Sequence, residues 1–286
     1  MNAFSPTADE LRQSVSRTYA RTTATNTGAR RAGYTEEQLE LLPAGVVDEF
    51  YGCGNPLSYA EVRPGQTVLD LGSGAGMDLI LAGHAVGPTG RVIGIDMTDE
   101  MIARARNNVA RAGLDNVEIR KGIIERLPVE SGSVDWVISN CVISLSPEKQ
   151  EVFDEVFRVL APGGRMLISD IVVDEKLAWI LKRLTRIAPS IALARPEQDY
   201  LTALRNARLI ELEVKGRFVY EPDHLIGMFG DPITADDLPG CPVSSLAGRV
   251  RKSRITKGLL RVAAGQVAGH VWSSKFSARK ARSEFA

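Results

Sequence analysis

The residues whose types and spacing can do chemistry are carboxylates grouped around a glycine-rich turn, Val68-Leu-Asp-Leu-Gly-Ser-Gly-Ala-Gly-Met-Asp78. A short apolar run precedes the turn and a longer apolar run follows it. Gly72, Ser73, Gly74 and Gly76 therefore stand between a buried strand and the first turn of a helix. Glycine lets the backbone pass close to a ligand, and a helix N-terminus presents N–H groups without internal partners. Sites for NAD, FAD and S-adenosylmethionine all use such turns. Asp70 discriminates among them. A carboxylate just ahead of the turn repels a pyrophosphate and suits the cationic amino group of a methionine arm. Asp96 ends the next apolar run, Ile-Gly-Ile-Asp-Met97, where a carboxylate accepts from two ribose hydroxyls. Gly122, Ile123 and Ile124 close a third run, where backbone groups can read an adenine edge. Asn140 ends a fourth and is expected beside the methionine part. The set points to S-adenosylmethionine, released as S-adenosylhomocysteine; a turn for NAD, with Asp70 as a structural carboxylate, is the competing reading.

The elements that must position these residues follow from periodicity. Residues 66–72, 91–97, 116–122, 133–140 and 165–172 read as strands. They alternate with helical runs at 77–86, 99–113 and 147–160, the pattern of a doubly wound parallel sheet. Segments 209–220 and 271–280 read as two further strands that finish the sheet, one of them antiparallel. Residues 175–209 read as two helices before the sixth strand. Ahead of the core, residues 8–21 have helical spacing, 22–33 read as a mobile loop, and Thr35 with Gln38 forms a capping box. The expected fold is α/β: a Rossmann-like, doubly wound, seven-stranded sheet with an N-terminal helical cap and a C-terminal helical insert. The expected divisions are 1–63 for the cap, 64–221 for the cofactor-binding core, 222–268 for an insert or lid, and 269–286 for the final strand and tail.

These residues resemble a class I S-adenosylmethionine-dependent methyltransferase. The segments GYTEEQLELLPAG, YGCGNPLSYAEVRPGQTVLDLGSGAGMDL, VGPTGRVIGIDMTDEMIARAR, IERLPVESGSVDWVISNCVISLSPEKQEVFDEVFRVLAPGG and ISDIVV further resemble the arsenite methyltransferase family. The likeness spans about residues 33–173, weakens over 174–220 and is lost over 222–268. It implies that Cys53 and Cys141 are two of the family's arsenic-binding cysteines. The third maps to Ser190, and the family's cysteine-bearing N-terminal loop maps to TNTGARRAG, which has none. Cys241 in the insert is a candidate substitute. The family also places a polar or acidic side chain at the position of Ile123.

Trivalent arsenic needs converging thiolates, as soft centres do, and a serine hydroxyl is a poor replacement. The thiol cage reads as incomplete, and Cys53 and Cys141 read as pocket-lining residues together with Tyr51. The leading expectation is methyl transfer to an organic small molecule, a heteroaromatic or peptide-derived specialised metabolite. Arsenite methylation is the alternative, and a non-catalytic cofactor-binding module is a more remote one. An organic nucleophile needs a proton acceptor. His224, where the chain enters the insert, and Tyr19, on the first helix, are the catalytic candidates. No resident metal is expected.

Composition sets the remaining bounds. The chain has 286 residues, 44% hydrophobic and 24% charged, with Lys+Arg and Asp+Glu both 35. Such a chain can bury a sizeable core, and the balance gives no global pull toward nucleic acid. Residues 248–286 hold ten Lys or Arg and one Glu without a recognition motif, which reads as a solvated face. Three cysteines without a CxxC pair, no signal-like N-terminus and no apolar run of about 18 residues predict a cytoplasmic protein, without membrane or nucleic-acid partners, acting on a small molecule as a monomer or homodimer.

Overall fold

The computed structural model describes residues 7–21, 28–175, 177, 193–221 and 268–282. Its centre is one sheet of seven strands: β1 (Thr67–Leu71), β2 (Arg91–Asp96), β3 (Val117–Lys121), β4 (Val134–Asn140), β5 (Leu160–Val173), β6 (Ile210–Val219) and β7 (Val271–Arg279), in the order β3-β2-β1-β4-β5-β7-β6. The pairs among β1 to β5 are parallel, and β7 runs antiparallel to both β5 and β6. This is the expected α/β architecture with its one reversed strand. The central strands are continuous apolar runs because helices cover both faces of a parallel sheet. One apolar core joins the sheet to α6 (Lys149–Val159) and α7 (Glu197–Asn206) through Val152, Phe153, Val156, Tyr200 and Leu204. The other joins it to α4 (Met77–Val86) and α5 (Asp99–Arg111) through Leu79, Ile80, Ile102, Ala105 and Val109.

Among the described residues three α-helices precede the sheet: α1 (Ala8–Arg21), α2 (Gly28–Arg31) and α3 (Glu36–Glu40). The capping box at Thr35 is formed in both directions. The stretch read as a mobile loop holds one helical turn, α2, anchored by fully buried Ala29; residues 22–27 lie outside the described residues. The helical run after β5 is described only as α7. Residues 176 and 178–192, with Ser190, and residues 222–267, with His224 and Cys241, lie outside the described residues. The fifth strand starts earlier than its apolar run, because Leu160 pairs with Val134 before a register shift. Among the described residues no helix is long and apolar enough to cross a membrane.

The sheet positions the site by register. β1, β2 and β4 end side by side at Leu71, Asp96 and Asn140. Asn140 pairs with Ser169 on β5, so Cys141 leaves β4 just as β5 presents Asp170. In open α/β sheets this carboxyl edge is where ligands bind.

Candidate active site

A cleft runs along that edge and encloses about 1050 Å³, part of it open to solvent. Its walls include Asp70, Gly72, Ser73, Gly74, Asp96, Met97, Gly122, Ile123, Ile124 and Asn140. At one end Asp96 is held by two backbone donors: Gly74 N–H to Oδ2 and Thr98 N–H to Oδ1, both 2.9 Å. Each oxygen keeps acceptor capacity for a further donor. Burial raises the Asp96 carboxyl, and the backbone donors oppose the rise. The buried Ser73 hydroxyl has no partner among the described residues and lies against Gly94 of β2. Gly76 lies outside the lining. It opens α4 at φ 92°, and a β-carbon there would meet Ala105 at 3.3 Å, so it serves the close packing of α4 on α5.

Toward the middle of the cleft the charge becomes unbalanced. Asp70 and Asp78 are both buried wall residues. Burial first, then Asp78 and Asp96, pushes the Asp70 carboxyl well above the carboxylate range. Burial pushes Asp78 up to about 6, against hydrogen bonds from Tyr34 and Asn140. Two buried carboxylates whose charge is disfavoured in each other's presence form a receptor for a cation. An arm bearing an ammonium, joined to a ribonucleoside, matches the sequence of groups along the cleft.

Asn140 ties this pair to the loop that carries Cys53. Its Oδ1 accepts from the Cys53 and Gly54 N–H groups at 2.9 and 3.2 Å. Its Nδ2 donates to Gly54 O at 2.6 Å, Tyr34 OH at 3.0 Å and Asp78 Oδ2 at 3.1 Å. The glycines beside Cys53 are required by contact. A β-carbon at Gly52 would lie 2.3 Å from Asn140 Nδ2, and one at Gly54 would lie 1.9 Å from Ser169 Oγ. The loop therefore seats its backbone on the ends of β4 and β5. Cys141 follows Asn140 in the left-handed region, φ 63°, with its N–H bound to Ser169 O at 2.8 Å. A side chain at positive φ is costly and is held there by its surroundings.

The result is a corner where two free, buried thiols meet a buried carboxylate. One ligand atom each from Cys53, Cys141 and Asp170 lies within 4.8 Å of the others. The hydrogen bond with Cys53, then burial, pushes the Cys141 thiol well above its ordinary value. Asp170 Oδ2 accepts from Ser144 N–H at 2.7 Å and Tyr200 OH at 3.1 Å, and Oδ1 from Ile171 N–H at 2.9 Å. Burial raises this carboxyl too, and the donors oppose the rise. Cys141 lines the cleft; Cys53 sits behind it in an apolar cluster with Tyr220 and Ile171. Tyr19 and Tyr51 also line the cleft, their rings edge to face at 5.9 Å. Burial raises the Tyr19 phenol far above its ordinary range, which keeps it a neutral group.

Helix α1 closes one side of the cleft with Arg12, Val15 and Tyr19. Arg12 bridges Glu125 at 3.2 Å and also meets Glu148; Ser146 Oγ donates to Glu125 at 2.7 Å. The sequence reading brought out neither this latch, nor the Tyr34–Asp78 pair, nor Asp170. Asp170 carried a usable signal, a lone carboxylate inside the apolar run Ile-Ser-Asp-Ile-Val-Val, since a buried strand tolerates a charge only where partners meet it. Asp78 carried a weaker one, and Tyr34 none.

A family model described as a methyltransferase domain matches residues 63–207. An arsenite methyltransferase of Halobacterium salinarum is 56% identical over 145 residues, covering 51% of this chain and 37% of that protein. An arsenite methyltransferase of Mus musculus is 38% identical over 188 residues, covering 59% of this chain and 50% of that protein. The chain thus spans no more than half the length of these curated relatives. The crystal structure of an arsenic(III) S-adenosylmethionine methyltransferase from Chlamydomonas reinhardtii has a TM-score of 0.59 at 28% identity, over 87% of this chain and 73% of that one. The matched segment carries the turn, the paired carboxylates and Cys141, so the chain belongs to the methyltransferase-domain family, as a class I S-adenosylmethionine-dependent member related to the arsenite methyltransferases.

Proposed function

We propose that this protein methylates a trivalent arsenical held by Cys53 and Cys141. One observation carries the reading: two thiols from separate segments converge beside a cleft whose paired carboxylates suit a methionine arm. The names of the relatives support it. It displaces the organic acceptor as the leading reading. That reading rested on Ser190 and on the insert, both outside the described residues.

The residues fit S-adenosylmethionine as follows. Asp96 receives the ribose hydroxyls, and Gly122 to Ile124 border the adenine. Asp70 and Asp78 receive the amino group, which relieves their mutual repulsion. When bound, the cofactor supplies an electrophilic sulfonium methyl that an arsenic lone pair takes with no proton to remove. Neither Tyr19 nor His224 is then needed as a base; Tyr19, with Tyr51, forms the wall. Arsenous acid exchanges two hydroxides for two sulfurs. Two As–O bonds break, two As–S bonds form, and each thiol proton leaves in a water molecule. A protonated Cys141 is therefore no obstacle. Asn140 aligns the thiol loop with the carboxylates, and orientation of this kind is the protein's main contribution to an in-line transfer. The described residues 7–21 and 28–63 act as a cap on the core.

The test is methyl transfer from isotopically labelled S-adenosylmethionine to arsenite, with a thiol reductant. Catalytic formation of methylated arsenic supports the reading. Cofactor binding without methylated arsenic overturns it and returns the search to organic acceptors.

A further inference from the structure

The thiol corner has one member that exchange with an arsenical does not use, the Asp170 carboxylate. We propose that Cys53, Cys141 and Asp170 together bind a soft or borderline divalent cation, cadmium or zinc, through two sulfurs and one oxygen. This inference does not depend on arsenic being the substrate.

The geometry suits a small tetrahedral ion. With bonds of about 2.0–2.3 Å such an ion keeps its ligands roughly 3.3–3.8 Å apart. The three ligand atoms already lie within 4.8 Å of one another, all from buried residues. The carboxylate is oriented in advance by Ser144 N–H, Ile171 N–H and Tyr200 OH, and Oδ1 takes only one of these. Hydrogen-bonded carboxylates of this kind are what fixed metal sites use. Cys141 faces the cleft, which leaves a fourth position open to water.

The cation's charge would be met by the two thiolates and the Asp170 carboxylate, against the two ammonium groups nearby. Around the corner stand the phenols of Tyr19, Tyr200 and Tyr220, and two ammonium groups. Lys149 directs its ammonium to the carbonyls of Ser144, Ser146 and Leu193. Burial pushes Lys149 down to about 8 and lowers Lys275, which faces Cys53. A divalent ion displaces a proton from each thiol to solvent: M²⁺ and two R–SH give M(SR)₂ and two H⁺. Arsenous acid carries its own hydroxides and releases none. Divalent affinity should therefore climb with pH where arsenical affinity stays flat.

The experiment titrates the reduced full chain with Cd²⁺ alone, in buffer without added thiol, following the thiolate-to-cadmium ultraviolet band. The expected result is saturation at one equivalent, with affinity rising as pH rises. Cys53→Ser and Cys141→Ser should lose most of the band, Cys241→Ser should keep it, and Asp170→Asn should weaken binding about tenfold or more. Should Asp170→Asn fail to fold, the cadmium-113 resonance of the unsubstituted protein still distinguishes a site of two sulfurs plus oxygen from one of three sulfurs. No saturable band, a band carried by Cys241, a three-sulfur resonance or undiminished binding in folded Asp170→Asn overturns the proposal. Arsenite methylation without cadmium binding would remove this inference alone, and cadmium binding without arsenite methylation would remove the proposed substrate alone.

Discussion

The two ends of the cleft are built by different means. The nucleoside end is local: one strand, one turn and one helix supply Asp70, Ser73, Gly74 and Asp78, and the next strand adds Asp96. The thiol end is assembled from three distant segments, the Gly52–Gly54 loop, the first residue after β4 and a mid-strand residue of β5. A local end tolerates change elsewhere, because its groups come from one strand, turn and helix and the strand that follows. An assembled end depends on everything that sets its segments against one another. Asn140 is where the two are joined.

The sharpest way to separate the ends is to remove a thiol. Cys53→Ser or Cys141→Ser should lower arsenite methylation by about a hundredfold or more, as loss of a ligand to a soft centre does. S-adenosylmethionine affinity should stay within about twofold; labelled transfer and equilibrium binding, run side by side, check both halves. The reverse substitution is Asp96→Ala. It should weaken cofactor binding by about 1–3 kcal/mol through lost charge-assisted hydrogen bonds, while cadmium titration of the thiols is unchanged. Unaltered cofactor affinity would remove the ribose assignment.

Asn140→Ala should break the separation, since it strips acceptors from two loop N–H groups and a donor from Asp78. A loss of about 2–3 kcal/mol in unfolding free energy is expected from buried groups left without partners, with both cofactor and thiol readouts impaired. Denaturant unfolding measures the first and the two binding assays the second.

A smaller effect concerns pH. Asp78 is raised from 3.8 to about 6 in the folded chain, so folding favours its protonated form. Its contribution is fully present below about pH 4, where both states are protonated, and falls as pH rises because the unfolded state ionises first. It is lost by about pH 6. Asp78→Asn should flatten this fall in the ligand-free protein, which thermal melts across pH 4–7 would show. Arg12→Ala should cost about 1–3 kcal/mol by removing a charge-assisted hydrogen bond to buried Glu125, seen as faster cofactor release and a lower melting temperature.

What the sequence made legible follows the same division. The Asp70–Gly76 turn and Asp96 could be assigned because type, spacing and the strand-to-helix change all fall within one βαβ unit. Strands β1, β2 and β4 were legible as short apolar runs, whereas β3, β6 and β7 mix polar and apolar residues and were legible from their place in the alternating order. Spacing along the chain carries no information about Cys53 meeting Cys141; only the family resemblance implied that the two share a pocket. Counting cysteines against a family pattern favoured an organic acceptor, whereas the fold brings the two that remain into one corner. Asp170 was hidden because it lies mid-strand, where a carboxylate looks like an anomaly until Ser144 and Tyr200 are seen to hold it.

The central claim is that two thiols hold the arsenical. Arsenic K-edge X-ray absorption on the one-to-one complex of the reduced protein with arsenite tests it most directly, because it counts bonds at arsenic itself. Two As–S bonds and one As–O bond, with the As–S contribution lost in Cys53→Ser, is the expected result. Three As–S bonds would recruit Cys241 and change the site, and no As–S bond would contradict the account.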